Sequence, residues 1–219
     1  MTALASPLMR WDELFDDLEG QLEHELHAED LGLRVEEERL RLGRLSLRAR
    51  LRAASGADGP RPAPLRLWLQ DGSAVHVRAT TFGRDWLAGD LVAGERVAVV
   101  GRASARVIVP LDAVASVGLD EERLEASLQA EPDVDASRPD APPRLADRLG
   151  LAFALRDLAR RRAPVTLTTR AGVLHGTIDR VARDHCDLAV HESDQPRRTG
   201  NVRGIRIVPL SALILIRMS

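Results

Sequence analysis

The sequence predicts a mainly β protein with helices, an α+β chain of two tandem small β-barrels preceded by an amphipathic N-terminal helix. Two observations carry this. Between Pro164 and Met218 lie five short segments of strand-like alternation, punctuated by glycine, aspartate and proline turns, about the size of one small barrel. The same punctuation occurs earlier, from Pro64 to Leu119: Asp85 and Asp184 stand 99 positions apart, and so do Pro110 and Pro209. Several marks at one offset indicate an internal repeat. The resulting division is residues 1–43, an acidic helical region; 44–119, the first barrel; 120–143, a short helix and a Pro/Asp-rich linker; and 144–219, a helix with the second barrel.

Each element has its own reason. Trp11, Leu14, Phe15, Leu18, Leu22 and Leu26 recur at intervals of three and four, so residues 10 to about 31 form a helix with one apolar stripe and an acidic opposite face. That helix either packs on the first barrel with its acidic face in water, or docks on a partner through Trp11, Phe15, Leu18 and Leu22. Leu33 to Leu42 continues as helix. Leu45 to Leu51 alternates apolar and polar, which predicts a strand added to the first barrel. Asp71-Gly72 and Ala171-Gly172 are turns in which glycine supplies a positive φ. Asp120 to Ala130 is a short helix, and Arg144 to Arg162 is one amphipathic helix carrying Leu145, Leu149, Leu151, Phe153, Leu155 and Leu158. Leu213-Ile-Leu-Ile216 is apolar throughout, the pattern of a strand covered on both faces.

Composition excludes several classes. One cysteine rules out a disulfide framework and a cysteine-rich zinc site. No leader peptide and no apolar run long enough to span a membrane is legible, so a cytoplasmic protein is expected, with no membrane contact. Phosphate loops, nucleophile elbows and zinc-protease motifs are absent, and no enzyme and no cofactor is expected. His185, Asp187 and His191 share one strand face, near His175. Alternating strands put such polar sets toward solvent, so no metal is expected there.

Every basic residue is arginine, and the charge is unevenly shared. Residues 10–38 hold twelve acids against two arginines; residues 144–219 hold fourteen arginines against seven acids. A basic module on an acidic chain is a nucleic-acid footprint. Arg160, Arg161, Arg162, Arg180, Arg183, Arg197, Arg198 and Arg203 are the candidate contacts, since guanidinium groups grip phosphates bidentately. The plainer reading is that arginine is simply the only base in use here and that these residues pair with the acidic N-terminal helix. Aromatics make up only 3% of the chain, too few for a base-stacking platform.

Val165, Leu167, Gly172, Gly176 and Ile178, with the short turn after Pro209 joining the last two strands, resemble the Sm family, which includes bacterial Hfq. The resemblance covers about half of the chain, as two copies. It implies a small bent barrel behind a helix, RNA binding, and pairing of the fourth strand of one barrel with the fifth of the next, either within the chain or between chains. The uridine-binding Asp-x-x-x-Asn of Sm proteins has no counterpart, and Pro209, Leu210 and Ser211 stand where Hfq has its tyrosine-lysine-histidine run. The opening W-D-E-L-F-D-D-L-E resembles an uncharacterised actinobacterial family of similar length. The expectation is a non-catalytic RNA-binding, regulatory Sm-like protein using the arginine-rich second barrel. The alternative is a protein-interaction or assembly adaptor using the N-terminal helix and the barrel edge strands, with a protein partner or self-association.

Overall fold

The structure is a computed structural model that describes residues 19, 22, 30–92, 105–131, 145–193 and 197–218. The chain divides into two compact units, Met1–Arg44 and Leu45–Ser219. In the first, residues 30–43 form a helix, α1, on which Leu31, Leu33, Val35 and Leu40 are exposed. Among the described residues no helix is long and apolar enough to cross a membrane.

The second unit is α+β. Helix α2 (Leu47–Ser55) precedes β1 (Leu65–Leu69), β2 (Ala74–Phe82), β3 (Trp86–Val92), β4 (Arg106–Pro110) and β5 (Val114–Gly118). Helices α3 (Glu121–Leu128), α4 (Leu145–Arg148) and α5 (Leu151–Arg161) follow. Then come β6 (Pro164–Thr169), β7 (Gly172–Val181), β8 (His185–Val190), β9 (Gly204–Pro209) and β10 (Leu213–Met218). The ten strands form one antiparallel sheet in the order β5-β1-β2-β3-β4-β10-β6-β7-β8-β9. It is an open sheet, not two closed barrels. Strand β4 hydrogen-bonds to β10 and not to β5, and β9 pairs only with β8, so each half stays open where closure requires its fourth and fifth strands to meet.

The repeat is visible in the register. Trp86 pairs with Pro110 as His185 pairs with Pro209, and Leu67 pairs with Val117 as Leu167 pairs with Ile216. Bulges fall between Ala79 and Thr81 in β2 and between Ile178 and Arg180 in β7. These bulges bend each long strand at the same place. The turns after β4 and β9 are anchored alike: Leu111 N–H donates to the Asp85 carbonyl (2.9 Å) and Leu210 N–H to the Asp184 carbonyl (2.8 Å). Gly72 and Gly172 both have positive φ, 82° and 124°, which suits glycine in these tight turns.

Two readings of the sequence are corrected. Leu45 to Leu51 is not a strand; Leu47 onward is helix α2. The Ser46 hydroxyl caps it by accepting from Ala49 N–H, and Gly56 ends it in the left-handed conformation. Arg144 to Arg162 is not one helix either. It breaks at Leu149-Gly150, where the Leu149 carbonyl accepts from Arg84 N–H (3.0 Å) and from Trp86 Nε1–H (2.9 Å). Asp85 Oδ1 then accepts from Leu151 N–H (2.7 Å), so a first-half turn caps the second half's helix.

Two cores result. One holds Leu51 of α2 with Leu65, Leu67, Val77 and Leu87. The other holds Leu151, Leu155 and Leu158 of α5 with Val165, Leu167 and Ile178. The halves exchange side chains. Ile214 and Leu215 of β10 enter the first core, while Trp86 and Ile108 of the first half enter the second with Leu213 and Ile216. This is why Leu213 to Ile216 is apolar at every position: β10 lies between the two halves and serves both.

Candidate nucleic-acid interface

The predicted arginines separate into two groups. Pro164, Thr177, Ala189 and Ile205 are successive register partners, so the start of β6, the end of β8 and the start of β9 share one end of the sheet. Arg160, Arg161 and Arg162 close α5 just before β6, and Arg197, Arg198 and Arg203 lie between β8 and β9. Arg183 sits at the opposite end, in the β7–β8 turn, and Arg180 is exposed on β7.

Several of these cations are already matched. Asp157 accepts from both Arg160 and Arg161, the latter at 2.7 Å, and the Arg160 hydrogen bond leads in holding its carboxyl below the usual range. Arg197 donates to Asp179 (2.6 Å), which raises its guanidinium pKa further, and Arg203 pairs with Glu192. Arg162 is exposed and ends α5 in the left-handed conformation. Arg198 is exposed beside Arg197. The pairs of Arg160, Arg161 and Arg203 are largely exposed and worth little each, while the Arg197–Asp179 pair is half-buried.

The turn end of the sheet gathers a different set. A cleft of about 240 Å³ lies where the halves meet. Its arginines are Arg84 of the β2–β3 turn, Arg170 of the β6–β7 turn and Arg183. Leu210 and Ser211 contribute from the β9–β10 turn, and Gly150 and Leu151 from the start of α5. Asp85 and Asp112 also line it, but Asp85 is committed: one oxygen caps Leu151 and the other stands 3.6 Å from Arg84. Arg170 donates to Gln70 across the joint. Asp184, next to Arg183, has its carboxyl pKa lowered, first by the hydrogen bond from His185 Nδ1 (2.7 Å). Arg84, Arg170 and Arg183 outnumber Asp85 and Asp112 in this cleft, and guanidinium groups grip phosphate oxygens.

Sequence reasoning singles out only Arg183 of these three. Arg84 and Arg170 lie in separate turns, and only the β4–β10 pairing brings those turns to one cleft. The shared spacing of Arg84 and Arg183, each directly before the repeated aspartate, is the available signal.

Of the proposed docking residues, Trp11, Phe15 and Leu18 lie outside the described residues, and Leu22 is exposed. The histidines do not gather: among the described residues no group of His, Cys, Asp and Glu is placed to hold a metal. His191 is not on the solvent face. It is buried, its Nδ1 donating to the Glu192 carbonyl (2.8 Å) and its Nε2 meeting the Thr177 hydroxyl (2.9 Å).

Cys186 is fully buried, and its thiol is pushed up to about 11, by burial first and by the Asp187 charge second. Thiolate is the reactive form. At pH 8 a water-soluble disulfide reagent is expected to label the native thiol at least ~100-fold more slowly than the chain in denaturant. Equal rates would mean the second core opens readily.

No protein-family model, no curated protein and no solved structure matches the chain.

Proposed function

We propose that the chain is a non-catalytic RNA-binding protein of Sm-like type, working in the cytoplasm. It holds the sugar-phosphate backbone of a single strand in the arginine-lined cleft between its halves. The observation that carries this reading is the convergence of Arg84, Arg170 and Arg183 on one cleft beside the start of α5. The fold supports the Sm-like part: each half runs in the order fifth-first-second-third-fourth strand behind a helix, and the fourth strand of the first half pairs with the fifth of the second. The rim of Pro110, Leu210 and Ser211 offers no aromatic face, so the grip is on phosphate and not on stacked bases.

The test is Arg84→Glu with Arg170→Glu and Arg183→Glu, titrated against labelled single-stranded RNA. Affinity is expected to fall at least ~100-fold, and the salt dependence to flatten by about 0.7 in log–log slope for each phosphate no longer neutralised. Reversing Arg160 and Arg161, which Asp157 already holds, is expected to change affinity less than about threefold. Unchanged binding in the triple variant would sink the cleft as the contact surface. The adaptor reading keeps one specific support, the exposed Ile205 and Ile207 on the edge strand β9.

A further inference from the structure

The bulge that bends each long strand is used differently in the two halves. In β7 its extra residue is Asp179, and Arg197 donates to that carboxylate at 2.6 Å, closing the corner from within. In β2 the extra residue is Thr80, whose hydroxyl reaches only the Ala88 carbonyl, at 3.4 Å. Beside Thr80 the first half keeps an open cavity of about 310 Å³. Small-molecule sites start at about this size, ~300 Å³. Bulges beside such sites re-aim side chains toward them.

The cavity walls carry two opposite charges. Asp90 of β3 and Arg106 of β4 are direct partners across the ladder, and both line the cavity. Among the described residues neither side chain forms an ion pair, whether with the other or with Arg78, the partner of Asp90 in β2. The fold does not require these charges. At the same two positions the second half pairs Ala189 with Ile205. Thr81 adds a second hydroxyl, and Met218, opposite Arg106 at the end of β10, adds an apolar wall.

We propose that this cavity binds a free aliphatic α-amino acid as its zwitterion. Arg106 grips the carboxylate through the guanidinium fork that matches it. Asp90 takes the ammonium group, with the Thr80 and Thr81 hydroxyls accepting its remaining hydrogens, and the aliphatic side chain lies along Met218. A free amino acid is the ligand favoured here because both its charges sit on one carbon, as Asp90 and Arg106 sit opposite each other on adjacent strands. A peptide offers only one of the two charges at each end. The site stands on the β2–β3–β4 surface and is independent of the arginine cleft.

The test titrates L-leucine into the full chain by calorimetry, beside N-acetyl-L-leucine and L-leucine amide, each of which lacks one charge. L-leucine is expected to bind at one site per chain. Each capped probe is expected to bind at least ~10-fold more weakly, the loss of one charged contact. Arg106→Gln and Asp90→Asn are each expected to weaken L-leucine by a similar factor, ~10-fold. Asp90→Ala with Arg106→Ile gives the first half the residues the second half carries, so it is expected to abolish binding while keeping the circular dichroism and melting temperature of the free chain. No saturable heat with L-leucine, capped probes that bind as well as the free amino acid, or a folded double variant that binds like wild type would each overturn the proposal.

Discussion

Ile216→Ala is expected to cost about 2–5 kcal/mol and to melt both halves together. Ile216 is fully buried in strand β10, where it faces Leu167 on one side of the ladder and Ile108 on the other. Removing three carbons there leaves a cavity lined by α5, β6 and β4, whose backbones are fixed by the ladders and cannot close in. Its neighbours Ile214 and Leu215 belong to the first core, so a loosened β10 disturbs that core as well. Urea unfolding followed by tryptophan fluorescence checks this: Trp68 reports on the first half and Trp86 on the joint. A single shared transition, shifted to lower urea, is the expected outcome. Two separated transitions would show that the halves are energetically independent.

Gly89→Val is expected to be at least as damaging, about 3 kcal/mol or more. In β3, Gly89 lies opposite Ala79 at the bulge of β2. A Cβ added at Gly89 would stand 2.0 Å from the Arg78 carbonyl oxygen and 2.8 Å from the Ala79 Cα. Both atoms are backbone, so no side chain can swing aside, and the β2–β3 ladder itself must part. Gly204→Ala is the matched control, because a Cβ there meets nothing within 4 Å. Thermal melts should leave that control within ~0.5 kcal/mol of wild type. A Gly89→Val protein that melts with the control would mean that the bulge is looser than its geometry.

What the sequence discloses depends on range. The repeat is legible because its marks are single residues at fixed spacing: Asp85 and Asp184 in one pair of turns, and Pro110 and Pro209 before the turns that the carbonyls of those aspartates anchor. The apolar run Leu213–Ile216 is legible as a strand covered on both faces, though not which two cores cover it. Leu45 to Leu51 misleads because its alternation satisfies a strand, while Ser46 and Gly56, the two residues that cap α2, stand in plain view. The break before α5 has Gly150, its N-cap, as the local mark, while its position is fixed by Arg84, Asp85 and Trp86 from a distant turn. The arginines show the same division. Counting charge by segment finds a basic C-terminal part, yet Asp157, Asp179 and Glu192 neutralise much of it locally. The cleft takes Arg84 from the half that such a count passes over.

The place of β10 has a consequence for how the chain is made. Ile214 and Leu215 complete a core whose other members are translated long before them. A ribosome that has finished β1 to β5 has therefore produced a half that is not yet closed, with the edge of β4 bare and waiting for a strand still to be synthesised. Domains that fold as they emerge escape this interval. Here the first core and the β4 edge can be completed only after β10, the last strand of the sheet to be synthesised, has been made.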